Sequence, residues 1–311
     1  EVKIKESIVQ EINENLKIAF DEDTINADES KELGDVYKLF HYQDFRPSKE
    51  TTELRLVDAI SEGLRQSMER HDDLIIMGQD IAEYGGVFKV TEGFVEAFGR
   101  ERVRNTPICE SAIVSTGMGL AIGGMKAVVE MQFGDFVSSG FNPIVNYLAK
   151  VHYRWGQPAD VVIRMPCGAG VGAGPFHSQT NEAWFTKVPG LKVVYPAFPA
   201  DAKGLLATAI NDPNPVLFFE HKALYRSIYG EVPEQYYTLP LGKANRLREG
   251  SRVSIITFGA GVHWAQEILE ELGIGDVDLL DLRSLCPLDT ESIYESVART
   301  GKVLLLQEDS L

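Results

Sequence analysis

Residues 104–131, RNTPICESAIVSTGMGLAIGGMKAVVEM, place a single carboxylate, Glu110, at the start of a long Gly-rich apolar stretch. No second charged side chain occurs between Glu110 and Met125. A carboxylate in such a setting is tolerated only where a specific partner meets it. That partner is either the backbone amides of a helix start, which a carboxylate commonly satisfies, or a ligand. The segment by itself leaves both interpretations open.

The same stretch predicts a helix followed by a buried strand. Thr106 and Pro107 are typical of a helix start, because Thr can cap the first turn and Pro fits into it. We expect the helix over Ser111–Gly123 and the strand over Ala127–Met131. Apolar strands alternate with helices on both sides of this unit, which predicts an α/β fold with a parallel sheet flanked by helices. The further strands are expected at Leu74–Met77, Val161–Met165, Lys192–Tyr195 and Val216–Phe219, and the further helices at Gly140–Lys150 and Asp201–Asn211.

The composition changes before this first α/β domain, which we expect over residues 51–230. Residues 1–20 are predicted to form an amphipathic helix, and residues 21–50 an acidic linker. Thr51 and Thr52 are expected to cap the first helix of the domain. The apolar positions of the N-terminal helix recur at four-residue spacing, at Ile8, Ile12, Leu16 and Phe20.

The α/β pattern repeats on a smaller scale after a Pro- and Tyr-containing connector. We expect the connector over residues 231–242 and a second α/β domain over residues 243–311. Three parallel strands with two helices leave an unfinished sheet edge, which indicates that this domain is truncated. Its strands are predicted at Arg252–Phe258, Val277–Leu282 and Lys302–Gln307, and its helices at Ala260–Leu272 and Thr290–Thr300.

The composition excludes several classes of partner. The 311 residues carry a net charge of −16, which argues against nucleic acid and against anionic membrane surfaces. No apolar run is long enough and free enough of charge to span a bilayer. The cysteines, Cys109, Cys167 and Cys286, are odd in number and unpatterned in spacing, so we expect a reducing compartment without a disulfide framework or a zinc site. The expected location is the cytoplasm.

Candidate site residues lie in loops that follow predicted strands, where open α/β sheets bind ligands. These loops are the segment before Glu110, Gln132–Phe136 and Pro166–Gln179. The last contains alternating glycines but no Gly-Lys-Ser/Thr, so it is not a P-loop, and we expect unusual backbone angles or a close approach of another chain. His177 follows these glycines. A lone histidine is more often structural than catalytic, and no second ligand stands at metal-binding spacing to it.

A series of motifs runs in one order through the first domain. They are Met77–Asp80, Tyr84–Gly93, Asn105–Glu110, Gln132–Phe136, His177–Gln179, Val188–Val194 and Asp201–Leu206. With these motifs the chain resembles, from about Leu54 to Leu311, the beta subunits of thiamine-diphosphate-dependent 2-oxo acid dehydrogenases. These are the decarboxylating components of the pyruvate and branched-chain complexes. The resemblance implies a transketolase-like pyrimidine-binding domain followed by a transketolase C-terminal-type domain.

The resemblance implies roles for four side chains. In this family the glutamate that matches Glu110 hydrogen-bonds the aminopyrimidine ring of thiamine diphosphate, which favours the tautomer that deprotonates the thiazolium carbon. Gln132 and Phe136 match residues that line the pyrimidine pocket. Some relatives carry Tyr where this chain has Phe136, so an aromatic face is present without a phenolic hydrogen bond. His177 matches a histidine implicated in substrate handling and in acyl transfer to the lipoyl arm.

The resemblance also implies metal ions. Relatives hold a potassium ion through main-chain carbonyls, and the matching positions are Ala159, Val161, Ala209, Asp212 and Asn214. The diphosphate and its magnesium ion are normally held by a Gly-Asp-Gly segment followed by Asn, and this sequence contains no such segment. We therefore expect no magnesium ligands in this chain, and an alpha part that holds the diphosphate and the magnesium.

This chain is expected to hold only the pyrimidine half of the cofactor site, and the expected partners follow from that. Residues 1–50 look like the tail of an alpha subunit fused to beta, and the alternative is an N-terminal extension of a stand-alone beta subunit. We expect an alpha subunit or fused alpha part as one partner, in an alpha2-beta2 assembly or a dimer of fused chains. The second expected partner is a lipoyl-bearing dihydrolipoamide acyltransferase.

The expected reaction is the oxidative decarboxylation of a 2-oxo acid, with acyl transfer to a lipoyl group. Glu130–Phe136 and Leu224–Arg226 resemble the branched-chain type more than the pyruvate type, so we expect 3-methyl-2-oxobutanoate as the substrate, with pyruvate as the main alternative. Two other classes stay open. One is a transketolase-like enzyme that handles sugar phosphates, and the other is a non-catalytic assembly subunit that docks the acyltransferase core without a cofactor.

Overall fold

The computed structural model describes residues 1–309, and their contacts divide the chain into two compact units. The first unit, Glu1–Asp35, contains helices α1 (Val2–Asp21) and α2 (Glu29–Gly34). Helix α1 confirms the predicted N-terminal helix, and its side chains are exposed on every face. Asp28 caps α2, because its side chain accepts hydrogen bonds from amides of the first turn.

The second unit begins at Val36 and contains all the strands of the described chain. In chain order these are β1 (Thr51–Arg55), β2 (Leu74–Gly78), β3 (Val103–Asn105), β4 (Lys126–Glu130), β5 (Val161–Cys167), β6 (Lys192–Val194), β7 (Val216–His221), β8 (Tyr229–Pro233), β9 (Asn245–Arg248), β10 (Ser254–Thr257), β11 (Asp278–Asp281), β12 (Ser284–Cys286) and β13 (Val303–Leu305). Its helices are α3 (Leu56–Arg70), α4 (Phe94–Phe98), α5 (Glu110–Ile122), α6 (Val151–Trp155), α7 (Ala183–Thr186), α8 (Pro199–Asn211), α9 (Leu224–Ser227), α10 (Ala260–Glu271) and α11 (Thr290–Thr300).

The larger sheet has the strand order β12-β6-β7-β5-β4-β2-β3. Strand β12 runs antiparallel to β6, and the other neighbouring strands pair in parallel. This confirms the predicted α/β class and the five strands expected in the first domain. Strands β3 (Val-Arg-Asn) and β12 (Ser-Leu-Cys) were not expected, because each mixes polar with apolar residues and shows no apolar run.

Both faces of this sheet are covered by helices. Val128, Val162 and Phe218 face one side and join a core with α3 and α8. Val129 and Ile163 face the other side and join a core with α5. Burial of each such side chain stabilises the fold by about 1.5–3 kcal/mol, which explains why these strands are nearly continuous apolar runs.

The smaller sheet has the order β13-β10-β11-β9 and confirms the second α/β unit. Its three predicted strands pair in parallel, and β9 adds an antiparallel edge next to β11 that was not predicted. Ile255 and Leu279 pack against α10 on one face. Ile256 and Leu280 pack towards α11 on the other face.

Two predicted helix starts are wrong. Thr51 and Thr52 lie in β1, which pairs antiparallel with β8, and their hydroxyls donate to Glu231 and Glu234 instead of capping a helix. Helix α3 begins later, at Leu56. Thr106 does not cap α5 either, because Cys109 is the N-cap residue of that helix. The amide of Thr106 donates to the Gly78 carbonyl and continues the pairing of β3 with β2.

The segment predicted as one helix over Gly140–Lys150 is irregular. It follows a 3-10 helix at Gly134–Gly140 and contains a π-helix at Pro143–Leu148. Pro143 has no amide hydrogen, so it cannot continue a regular α-helical ladder.

The predicted linker over residues 21–50 contains α2, and its part from Val36 onward belongs to the second unit. There the Tyr37 hydroxyl donates to the Leu191 carbonyl at 3.1 Å. In residues 1–309, no helix is both long enough and apolar enough to cross a membrane.

Candidate functional site

Strands β2, β3 and β4 of the larger sheet end in register at one edge, and β5 and β7 run about three residues further. Gly78, the last residue of β2, pairs with Asn105 of β3 and with Glu130 of β4, and Glu130 pairs with Arg164 of β5. The loops that follow these strands therefore leave the sheet on the same side. Open α/β sheets bind ligands at such an edge, which we call the carboxyl edge.

Glu110 lies at the carboxyl edge as the first residue of α5 and is buried, with 8% of its surface exposed. Its Oε1 accepts a 3.1 Å hydrogen bond from Nε2 of Gln79, which is also buried. Across residues 1–309, no other hydrogen bond reaches the Glu110 side chain, and no side chain caps α5. The carboxylate is therefore not held as a helix cap, and Oε2 remains available to another donor.

Gln132 lies next to this pair. Its Nε2 donates to Oδ2 of Asp80 at 3.4 Å, and Asp80 is the sequence neighbour of Gln79. The backbone of Asp80 has a φ of 56°, in the left-handed region that non-glycine residues rarely adopt. Such strain persists where the surrounding structure imposes it, commonly at functional sites. Gln79 and Asp80 thus connect Glu110 with Gln132.

Three rings form an aromatic cluster beyond β4. The centroid of His177 lies 4.6 Å from that of Phe133 and 5.5 Å from that of Phe136, with interplanar angles of 82° and 76°. Phe133 and Phe136 are themselves 5.7 Å apart. Edge-to-face pairs of this kind stabilise by roughly 0.5–1.5 kcal/mol beyond their burial, so they fix the orientation of the imidazole.

Asp135 joins the loop after β4 to the loop that carries His177. Its Oδ1 accepts hydrogen bonds from the amides of Ser178 and Gln179, both at 3.1 Å. Nearby, Nδ2 of Asn181 donates to the Gly134 carbonyl at 2.9 Å. Because Asp135 and Asn181 are buried, these bonds resist solvent and keep the two loops together.

A buried ion network supports the carboxyl edge from inside the sheet. The Arg164 guanidinium donates to both oxygens of Glu220 at 2.7 Å and to Oε2 of Glu130 at 2.5 Å. The Tyr225 hydroxyl donates to Glu220 at 2.5 Å. Burial raises the pKa of Glu130, and the charge of Arg164 opposes that rise. Removing one member of such a network is costly, because it leaves an uncompensated buried charge.

The residues predicted to hold potassium lie at the opposite edge of the sheet, where β5 and β7 begin. Ala159 and Val161 stand at the start of β5, Ala209 lies in the last turn of α8, and Asp212 and Asn214 follow that turn. Asp212 forms an ion pair with the Lys192 ammonium, and its Oδ1 accepts from the Asn214 side chain at 2.8 Å. Elsewhere in the described residues, no group of three His, Cys, Asp or Glu side chains is placed to hold a metal ion.

All four side chains selected from the sequence lie at the carboxyl edge, in contact with residues that were not selected. Gln79 contacts Glu110, Asp80 contacts Gln132, and Phe133 contacts Phe136 and His177, while Asp135 binds the amides of Ser178 and Gln179 next to His177. Gln79 directly follows β2, at a position where α/β sheets commonly bind ligands. This position is the signal by which the sequence could have identified it. Phe133 and Asp135 lie inside the loop Gln132–Phe136, but their contacts with the His177 loop are long-range and leave no local pattern.

Two family models match the chain. The transketolase pyrimidine-binding domain matches residues 52–227, and the transketolase C-terminal domain matches residues 242–311. A solved structure, a split-gene transketolase in an inactive beta4 tetramer, aligns with a TM-score of 0.67. That alignment covers 82% of this chain and 79% of the other at 23% identity, so it supports the fold alone.

Characterised relatives are closer in sequence. The 2-oxoisovalerate dehydrogenase subunit beta of Bacillus subtilis is 47% identical over 260 residues, which is 82% of this chain and 79% of that protein. The pyruvate dehydrogenase E1 component subunits beta of Acholeplasma laidlawii and Staphylococcus aureus are 41% and 42% identical over the same share of this chain, and over 79% and 80% of their own lengths. This chain therefore belongs to the beta subunits of the thiamine-diphosphate-dependent 2-oxo acid dehydrogenases, with a transketolase pyrimidine-binding domain and a transketolase C-terminal domain.

Proposed function

We propose that this chain supplies the aminopyrimidine half of a thiamine diphosphate site that decarboxylates a branched-chain 2-oxo acid and transfers the acyl group to a lipoyl arm. The observation that supports this proposal is the burial and the hydrogen bonding of the Glu110 side chain. It is a buried carboxylate at the carboxyl edge with one oxygen bonded to Gln79 and the other available. A buried carboxylate without a second partner is costly, so a ligand donor at Oε2 would stabilise it.

The residues around Glu110 fit an aminopyrimidine ring. Such a ring presents polar nitrogen atoms at its edge and aromatic faces above and below. The carboxylate of Glu110 and the carboxamide of Gln132 supply polar partners, and Phe136 supplies an aromatic face within the cluster with Phe133 and His177. This combination of a few polar groups with aromatic walls is typical of cofactor sites.

Glu110 acts in this proposal as the group that activates the cofactor. When bound, thiamine diphosphate supplies a nucleophilic carbon and an electron sink for decarboxylation. Oε2 of Glu110 would hold the hydrogen bond to a ring nitrogen at the pyrimidine edge, while Gln79 holds Oε1 in place. Because Glu110 is largely buried, a hydrogen bond at Oε2 would be stronger than it would be in solvent.

His177 acts on the substrate side. Its ring is fixed by Phe133 and Phe136, and the loop that carries it is held by Asp135. We assign to it the handling of protons on the substrate and during acyl transfer, because imidazole changes its charge near neutral pH.

The remaining part of the site comes from a partner. A diphosphate requires a divalent cation and its ligands, and we propose that an alpha subunit or fused alpha part supplies them with magnesium. The further partner is the lipoyl-bearing acyltransferase, with the working assembly an alpha2-beta2 complex or a dimer of fused chains. We propose potassium at the carbonyls of Ala159, Val161, Ala209, Asp212 and Asn214, where strand and helix ends meet.

The branched-chain substrate rests on two points. The branched-chain relative is 47% identical, against 41% and 42% for the two pyruvate relatives over the same share of the chain. The segments Glu130–Phe136 and Leu224–Arg226 also resemble the branched-chain type. Pyruvate remains the competing substrate.

The test uses the complete enzyme, assembled with its alpha partner. Calorimetry with thiamine diphosphate and magnesium should detect binding to the assembled enzyme and none to the isolated chain, and absence of binding to both would favour an assembly subunit. The kcat/KM for 3-methyl-2-oxobutanoate should exceed that for pyruvate by about tenfold or more, since an apolar pocket distinguishes one or two methyl groups by that amount. The reverse preference would assign the enzyme to pyruvate, and activity with sugar phosphates would place it with transketolase.

A further inference from the structure

Glu308, in the second domain, reaches the loop that carries His177. It follows β13, and its Oε1 accepts a 2.9 Å hydrogen bond from the Ala169 amide. Its Oε2 lies 2.8 Å from Nε2 of His221, the last residue of β7. One side chain thus spans the second domain, the base of the Gly-rich loop and the carboxyl edge of the larger sheet.

Glu308 is suited to be a charged acceptor. Burial raises the pKa of its carboxyl, but the hydrogen bonds from His221 and the Ala169 amide outweigh that effect, and the net pKa is lower than usual. A carboxylate only accepts hydrogen bonds, so the imidazole of His221 donates through Nε2. Bonds to an ionised acceptor are shorter and stronger than those between neutral groups.

The ring of His221 leaves no space for a side chain above it. A Cβ at Gly168 would lie 2.2 Å from Nε2 of His221, and Gly168 has a φ of 82°. Lys222 adds a second contact here, because its Nζ donates to the Gly168 carbonyl at 2.8 Å. The base of the loop, at Gly168 and Ala169, therefore contacts His221 and Lys222 at the end of β7 and Glu308 of the second domain.

The middle of the loop, residues 170–173, makes no hydrogen bond within the described chain, whereas Gly174 and Pro175 accept bonds from the His177 amide and from the Ser178 and Gln179 side chains. Gly170, Gly172 and Gly174 have positive φ angles, and residues 169–176 are exposed. Glycines in this region impose few steric limits, so the loop gains its fixed course from the bonds at its two ends. Asp135 holds the far end at Ser178 and Gln179. Glu308 holds the near end at Ala169.

We propose that Glu308 is a positioning residue through which the second domain fixes the loop that presents His177. The proposal rests on the function assigned to His177 above, but the order of the loop can be measured independently of that function. Without Glu308, the near end would keep the Lys222 bond to the Gly168 carbonyl and the bond from the Gly168 amide to the Gln179 carbonyl. It would lose the only side-chain bond in the described residues that reaches the Ala169 amide.

Hydrogen–deuterium exchange on the assembled full-length enzyme tests this directly. In Glu308→Ala, the amides of residues 168–177 that are hydrogen-bonded in the wild type, at Gly168, Ala169 and His177, should exchange about tenfold faster. This corresponds to the loss of a charge-assisted bond, while β5 stays unchanged. In Glu308→Gln, exchange should stay within about threefold, because the carboxamide oxygen still accepts from Ala169. The matched control is Glu249→Ala, which removes the exposed partner of Arg299 in the same domain and should leave the loop unchanged.

The outcomes separate positioning from a purely structural role. Unchanged exchange over residues 168–177 in Glu308→Ala would overturn the proposal, and so would an equal rise throughout β5 and β7. If Glu308→Ala does not fold, Glu308→Asp decides: its shorter side chain cannot span both partners, so loop exchange should rise about threefold with the rest of the sheet protected. Unchanged loop exchange in that variant would also overturn the proposal.

A kinetic measurement then connects the loop to His177. Glu308→Ala should lower acyl transfer to the lipoyl acceptor about tenfold and leave the affinity for thiamine diphosphate within about twofold, since the pyrimidine contacts are untouched. Loss of thiamine diphosphate binding would contradict the positioning role. If the wild-type enzyme bound no thiamine diphosphate, the proposed function would fail, and the exchange result would still decide the role of Glu308.

Discussion

The Gln79 carboxamide donates a 3.1 Å hydrogen bond to Oε1 of Glu110, and both side chains are buried at the carboxyl edge. This bond occupies one oxygen of the carboxylate and orients the other. The geometry makes Glu110 the centre of the candidate site and Gln79 its support, and each can be tested separately.

Replacing Glu110 with Gln should lower kcat of the assembled enzyme by about 10²–10⁴-fold, because a carboxamide is a poor proton acceptor in the position of a catalytic carboxylate. The matched control is Glu101→Gln, an exposed glutamate a few residues earlier that pairs with Arg104 on the surface. The control should keep its activity. Turnover of Glu110→Gln within a few-fold of the wild type would remove Glu110 from the mechanism.

Replacing Gln79 tests whether its hydrogen bond to Glu110 supports catalysis. In Gln79→Leu the bond to Glu110 is lost, and we expect kcat to fall by about tenfold, as one buried hydrogen bond contributes about 1–1.5 kcal/mol. In Gln79→Glu two carboxylates share the site, so the pKa of one of them rises. At lower pH the two carboxylates share one proton, and this proton replaces the N–H that Gln79 donates to Glu110. The variant should therefore be most active at lower pH than the wild type. An unshifted profile in Gln79→Glu would indicate that the two side chains do not interact in the working enzyme.

Arg164 should matter for stability more than for chemistry. Arg164→Met removes the cation between Glu130 and Glu220 and leaves two buried carboxylates without a counter-charge. We expect a loss of about 3–5 kcal/mol in the free energy of unfolding, measured by urea denaturation. The control is Arg100→Met, which removes an exposed cation paired with Glu83 and should cost less than about 1 kcal/mol. Equal losses in both variants would argue against the buried network.

Some elements and site residues could be predicted from the sequence, and others became apparent only in the folded structure. Eight of the thirteen strands in the described chain and most of the long helices were predictable because apolar periodicity sets them, as at Val161–Met165 and Ala260–Leu272. The start of α3 was not, since Thr51 and Thr52 satisfy the local rule for a cap and are instead taken by a strand pairing with residues far along the chain. Glu110 was visible as a charge in an apolar stretch. Gln79 was marked only by its position after β2, and Asp135 and Glu308 were not visible, because their roles depend on contacts that exist only after folding.

Stability should fall with rising pH because of Asp281. Burial raises the pKa of this fully buried carboxyl to about 8. The unfolded pKa is about 3.9, so the folded chain binds the extra proton, and its contribution to stability is complete below about pH 4 and lost as the pH rises through about 8. Asp281→Asn should remove this pH dependence. The free energy of unfolding of the variant relative to the wild type should therefore be about 1–3 kcal/mol higher at pH 8.5 than at pH 5. Thermal unfolding of both proteins at the two pH values provides the measurement. A difference that is the same at pH 5 and pH 8.5 would contradict the raised pKa.

His177 can be separated from Glu110 by a substitution that keeps its ring contacts. His177→Phe preserves an aromatic ring against Phe133 and Phe136 and removes the two nitrogen atoms. We expect thiamine diphosphate affinity within about twofold of the wild type and acyl transfer to the lipoyl acceptor lowered by about 10²-fold, the usual contribution of one general acid–base group. His177→Ala should lower acyl transfer to a similar extent and also loosen the loop, since the ring contacts are lost. Full acyl transfer in His177→Phe would reduce this histidine to a packing residue, and the aromatic cluster would then be only one wall of the pocket.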